Sequence, residues 1–179
     1  MGSEKNPVIV REEFLCRGKR VSLYKRVVEF EGVVSEKDVV KFGKAVVILP
    51  ILDDGRVILL KQWRAAVNAW VLEAPAGRVE PSEDVVEAAR RELVEETGYE
   101  AEELIPMAIV YVSPGYSDEI QTIFLARKLK FIGASPEAGE ILKTVYMTPE
   151  EVLSMVKHNM IVDAKTFLAL LLYLHLYRK

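Results

Sequence analysis

The chain has 179 residues, half of them apolar, which is enough for one well-packed domain with a small appendage. Its net charge of −3 shows no basic footprint for nucleic acid. Cys16 is the only cysteine, so an intrachain disulfide and a cysteine-based metal site are both excluded. The opening M-G-S-E-K-N-P lacks the apolar stretch of a signal peptide. The most apolar run, Phe167 to Tyr177, is too short to span a bilayer and reads as a buried helix. These features lead us to expect a cytoplasmic protein with no membrane partner and no nucleic-acid partner.

Residues 8–34 read as a small β element. Phe14 to Cys16 and Val21 to Tyr24 flank Arg17-Gly18-Lys19-Arg20, which suits a hairpin turn. The charged stretch Ser35-Glu36-Lys37-Asp38 is expected to be a linker, placing an N-terminal element at 1–40 and the main domain at 41–179. Ala45 to Leu52, Asp53-Asp54-Gly55 and Val57 to Gln62 spell a second, stronger hairpin. Leu72 to Ala76 leads into a helix expected from about Glu83 to Thr97. Ser82 is its candidate N-cap, Gly98 its stop, and Val86, Ala89, Leu93 and Thr97 its inward stripe. Strands follow at Ile105 to Ser113, Ile120 to Phe131 and Ile141 to Met147. Thr148-Pro149-Glu150-Glu151 starts a helix with a Thr cap, Pro at the first position and Glu at the third. Asp163 caps a final helix, Ala164 to Tyr177. This order predicts an α/β protein, helices layered on mixed sheet.

The chemistry concentrates in the 23 residues from Gly77 to Tyr99. Glu92 and Glu96 are four apart and share a helical face, with Glu95 beside them. Like charges at that spacing destabilise a bare helix. A solvated face is the ordinary meaning of a Glu-rich helix. Three clustered carboxylates also suit a hard divalent cation that takes oxygen ligands and keeps some waters. Residues 78–100 hold eight acids against three arginines, an excess that would repel a phosphate unless cations intervene.

The spacing goes further. Gly77, five residues, Glu83, seven residues, Arg91-Glu92-Leu93, Glu95-Glu96, Gly98 and Tyr99 resemble the Nudix box, G-x5-E-x7-R-E-U-x-E-E-x-G-U, where U is bulky and apolar. Every fixed position is filled. Tyr99 is aromatic where the family usually has an aliphatic residue. Gln62-Trp63-Arg64 and Glu73-Ala74-Pro75-Ala76-Gly77 resemble the Q-Y-R and E-x-P-A-G patterns of the ADP-ribose pyrophosphatases, with Trp63 for the usual Tyr. Pro114 lies fifteen residues beyond the box, a position that in this family goes with ADP-ribose hydrolysis. It also belongs to a tight Pro-Gly turn. The resemblance covers the chain from about Ala45 onward.

The resemblance implies a Nudix fold, an α/β/α sandwich, and metal-dependent hydrolysis of ADP-ribose to AMP and ribose 5-phosphate. Mg²⁺ or Mn²⁺ would be held by Glu92, Glu95, Glu96 and the backbone carbonyl of Ala76. Arg91 would pair with Glu83 or Glu95 and orient it. Arg64, Glu73, Gly77 and Pro114 would contact substrate. A loop glutamate would act as general base, in the order Glu140, Glu137, Glu119. Trp63, Trp70, Phe14 and Tyr24 are candidates for stacking on adenine. The N-terminal β element resembles the segment with which these enzymes build a homodimer. Two alternatives stand beside this. One is a pyrophosphatase for another nucleoside diphosphate sugar or a dinucleotide such as NADH. The other is a non-catalytic module that senses a nucleotide, which the intact box carboxylates argue against.

Overall fold

The computed structural model describes residues 5–135 and 141–178. Glu137 and Glu140 lie outside the described residues. The chain forms two compact units. One comprises Met1–Gly43 with Tyr111–Ile120, the other Lys44–Val110 with Gln121–Lys179.

The first unit is a three-stranded antiparallel sheet of β1 (Val8–Arg17), β2 (Ser22–Phe30) and β3 (Val33–Lys41) in sequential order. The first hairpin forms as expected, closed where Gly18 donates its N–H to the Val21 carbonyl at 2.8 Å. The linker expected at Ser35 to Asp38 is instead the middle of β3, paired with Lys25 to Val28. Charge misled here: β3 shows little burial, so charged side chains stand on it without cost. The turn around Pro114 belongs to this unit too. The Tyr116 and Ser117 N–H groups return to the Ser113 carbonyl, and Asp118 accepts from the N–H groups of Phe42 and Gly43.

The second unit contains the remaining strands, apart from the terminal residues Tyr111 and Ile120: β4 (Lys44–Pro50), β5 (Val57–Arg64), β6 (Ala69–Glu73), β7 (Ala76–Arg78), β8 (Tyr99–Tyr111), β9 (Ile120–Phe131) and β10 (Leu142–Met147). They make two sheets, in the orders β7-β4-β9-β8 and β10-β5-β6. The expected second hairpin is real at its turn, where Gly55 (φ 85°) donates to the Leu52 carbonyl. Its strands then part: after an isolated bridge between Ile51 and Val57, β4 joins one sheet and β5 the other.

Alternation along β4 and β9 explains the layers. Val46, Ile48, Phe124 and Ala126 bury against Ala88, Ala89 and Leu93 of the helix α1 (Val85–Thr97). Val47, Leu49, Ile123 and Leu125 point the other way, into a core with Val152, Ala169 and Leu170 of α2 (Pro149–Lys157) and α3 (Ala164–Leu172). Ala45 to Pro50 of β4 and Ile123 to Ala126 of β9 are buried on both faces as apolar runs, so the sheet is the middle of an α/β/α sandwich.

Helix α1 starts later than expected. Its N-cap is Asp84, whose carboxylate accepts from the Val86 N–H at 2.8 Å, whereas Ser82 sits at φ 71° in the preceding turn. Gly98, at φ 78°, ends it as foreseen. Its buried residues are Ala88, Ala89, Leu93, Glu96 and Thr97, while Val86 is exposed. The box of Thr148 and Glu151 caps α2 reciprocally. Asp163 caps α3, but the α-helix stops at Leu172 and a π-helical turn runs from Tyr173 to Tyr177. No described helix is long and apolar enough to cross a membrane.

Candidate active site

The acidic site is assembled where β7 lies against α1. Strand pairing of Ala76, Gly77 and Arg78 with Val47, Val46 and Ala45 fixes the loop that opens the box. Gly77 is needed for space. A Cβ there would sit 1.9 Å from the Glu92 carboxyl carbon and 2.0 and 2.2 Å from its oxygens. The Glu92 carboxylate therefore lies directly over the Gly77 backbone. Glu96, only 3% exposed, accepts the Ala76 N–H at 2.9 Å.

Arg91 organises the carboxylates. Its Nε and Nη2 donate to the two oxygens of Glu83 at 2.9 and 3.0 Å. Its Nη1 donates to Glu92 at 2.8 Å and to Glu95 at 3.0 Å, and Nη2 also reaches the Arg78 carbonyl. The expected choice between Glu83 and Glu95 thus resolves to both, with Glu92 added. Hydrogen bonding to Glu83 raises the Arg91 pKa further, and the same contact holds the Glu83 carboxyl below its ordinary value. One guanidinium is thus shared among three carboxylates.

The donor set is all oxygen, which suits a hard divalent cation. Among the described residues no group of three or more His, Cys, Asp or Glu side chains converges into a ready-made metal cage. The fit rests on this chemistry and on the cradle that Gly77 leaves for Glu92.

A second charged cluster lies beneath Arg64. The Arg64 fork donates Nε and Nη2 to the two oxygens of Glu73, each at 2.7 Å. Glu73 is 2% exposed, and Lys165 donates to it as well. Burial pushes the Glu73 carboxyl up, but the Arg64 fork and Lys165 outweigh this and hold it below the ordinary value of 4.5. The pKa of Arg64 is raised, first by its bonds to Glu73; Glu96 and Asp163 are close enough to contribute. Lys165 went unnoticed in the sequence. Its only signal is its place in the first turn of α3, 92 residues from the partner it meets.

Arg64, Glu73 and Lys165 line a cavity of about 530 Å³ with Trp70, Val67 and Val162. Trp63 and Trp70 meet edge to face at 5.8 Å, and Phe14 and Tyr24 do so at 5.5 Å in the first unit. Pro114 lines a separate cavity of about 380 Å³ in the first unit, with Ile9, Arg26 and Tyr111. Glu119 also belongs to that unit, in the turn before β9.

A Nudix domain model matches residues 41–171. The chain belongs to the Nudix family. It is 36% identical to an ADP-ribose pyrophosphatase of Bacillus subtilis (strain 168), covering 95% of this chain and 93% of that one. It is 32% identical to a methanol dehydrogenase activator of Bacillus methanolicus, covering 94% and 93%. A crystal structure of an ADP compounds hydrolase superposes with a TM-score of 0.85 at 26% identity, covering 96% of this chain and 94% of that one. The expected Nudix fold is therefore present, and the chain is a Nudix hydrolase whose box carries its acidic residues intact.

Proposed function

We propose that this Nudix hydrolase cleaves the diphosphate of ADP-ribose with water, giving AMP and ribose 5-phosphate. The observation that carries the hydrolytic reading is the Glu92 carboxylate seated over Gly77 beside Arg91, in a cluster whose donors are all carboxylate oxygens. The choice of ADP-ribose is supported by the Bacillus subtilis relative, matched along almost the whole chain. A broader reading, other ADP-containing diphosphates, is supported by the ADP compounds hydrolase that shares the fold.

Glu92, Glu95, Glu96 and the Ala76 carbonyl would hold Mg²⁺ or Mn²⁺. When bound, such an ion neutralises charge on phosphoryl oxygens and lowers the pKa of water. Arg91 fixes the orientation of Glu92 and Glu95 and keeps their mutual repulsion in check. Arg64, whose Nε edge is committed to Glu73, has its remaining N–H groups for substrate phosphate. The proton of the attacking water goes to a loop glutamate, ranked Glu140, Glu137, Glu119. Glu140→Gln should lower kcat by about 10²–10⁴-fold at saturating Mg²⁺, with Glu137→Gln and Glu119→Gln measured beside it. If only one of the latter two loses activity, the ranking changes and the mechanism stands.

The chain is further proposed to act as a cytoplasmic homodimer. Support for the dimer comes from β1, where Val8, Ile9, Val10, Phe14 and Leu15 are all exposed. Light scattering at micromolar concentration should give twice the chain mass, and deleting residues 1–34 should weaken association and substrate affinity together. A monomer would refute the dimer.

Product analysis on a panel of ADP-ribose, other nucleoside diphosphate sugars and NADH with Mg²⁺ tests the substrate. AMP and ribose 5-phosphate should appear fastest from ADP-ribose. Faster release from another member of the panel would move the assignment to it.

A further inference from the structure

Arg64 and Glu73 form a pair that looks complete, yet a third residue is built into it. Glu73 has two oxygens in a nearly dry site, and the Arg64 fork uses one lone pair on each. Lys165 takes a further one on Oε2. Its side chain is 12% exposed, and its Nζ also contacts Asp163 at 3.0 Å. A lysine is buried at considerable cost unless its charge is matched, and here two carboxylates match it. Asp163 is fixed in turn. It caps α3 by accepting from the Thr166 N–H at 3.0 Å and hydroxyl at 2.6 Å, and that hydroxyl accepts the Ala74 N–H at 2.7 Å. The first turn of α3 thus grips Glu73 and Ala74 side by side. Arg64 is the exposed end of this chain of contacts, with a side chain 36% open to solvent.

We infer that Lys165 is a positioning residue: it locks the Glu73 carboxylate, and through it the direction in which Arg64 presents its guanidinium to substrate. The inference rests on the reading of Arg64 as a phosphate contact. Without Lys165, Glu73 can rotate about its last bonds, and the Arg64 fork follows it. A cross-link that served only to hold α3 against β6 would leave Arg64 unaffected once the protein is folded.

The test uses the full chain with Lys165→Met, and with Lys165→Leu in case the first fails to fold, since neither retains a donor to Glu73. Melting curves establish that the variant is folded. The first readout needs no activity: the Arg64 Nε–H resonance in ¹H–¹⁵N NMR. In the wild type it should be slow to exchange with water. In the Lys165 variants its exchange should quicken by about tenfold or more, and an unchanged Nε–H in a folded variant overturns the proposal. The second readout is a double-mutant cycle on whichever diphosphate the wild type hydrolyses fastest. Lys165→Met should raise KM about tenfold with kcat within a few-fold, and should add nothing in an Arg64→Ala background. Additive effects would overturn the proposal while leaving the hydrolase reading intact. A wild type inactive on every diphosphate would fail that reading instead, with the NMR result still deciding on Lys165.

Discussion

Two charged clusters in the second unit are close to mirror images. Around Arg91, one guanidinium is divided among three carboxylates, with side chains 13–31% exposed. Around Glu73, one carboxylate is divided between two cations and is shut from water. The Glu73 cluster balances its charges internally, since Asp163 offsets the second cation. Around Arg91 the carboxylates in contact outnumber the guanidinium three to one. A balanced, buried cluster stabilises a fold and holds a geometry. An unbalanced, half-open one attracts an ion of the missing sign.

The comparison breaks most visibly at Glu96→Gln. A glutamine can still accept the Ala76 N–H, so the melting temperature should stay close to that of the wild type. The lost charge should cost about 10²–10³-fold in kcat, the range of single electrostatic contributions to catalysis. An active variant, or one that melts as early as a Glu73 variant, would erase the distinction between the clusters.

Glu73→Gln should do the reverse. Removing one partner of a buried ionic cluster leaves the others uncompensated, at about 3 kcal/mol. The effect has a pH signature. The Glu73 carboxyl is depressed in the folded protein, so its contribution is full above the unfolded value of about 4.3 and is lost as pH falls through the folded value. The stability gap between wild type and Glu73→Gln, measured by urea unfolding, should be full near neutral pH and narrow progressively as pH falls below the ordinary carboxylate range. A gap that widens on acidification contradicts the assignment.

Gly77→Ala sharpens the contrast at smaller scale. The added Cβ meets the far end of the Glu92 side chain, which can swing aside without moving the backbone. Folding should survive nearly unchanged, while displacement of a carboxylate by an ångström or so should cost about tenfold in kcat/KM. A large loss of stability with normal kinetics would mean that Gly77 serves the fold alone.

The two clusters also differed in how much the sequence disclosed. The Arg91 cluster lies within one helix and the loop before it, so its spacing spells its geometry: Arg91 and Glu95 must be neighbours one turn apart. The Glu73 cluster joins β6 to α3, and no periodicity connects residues 92 apart. Arg64 and Glu73 stood out by motif and Asp163 as a helix cap, but nothing in the sequence joined them or pointed to Lys165. The same divide runs through the fold. Local codes were readable, such as the Thr148–Glu151 capping box and the Gly98 stop. Choices made by tertiary contact were not. Ser82 and Asp84 are both good caps, and the chain's path selected the second. Val86 fits the apolar stripe by spacing, but the helix is rotated so that Ala88 takes its place in the core. The division of β4 and β5 between two sheets leaves no mark at their turn.

The most direct measurement of the central claim follows ADP-ribose hydrolysis by phosphorus NMR while divalent cations are removed and restored. The surplus of carboxylates around Arg91 predicts release of AMP and ribose 5-phosphate in Mg²⁺ or Mn²⁺, complete arrest in excess EDTA, and recovery when the cation is added back. Undiminished hydrolysis in excess chelator would contradict it.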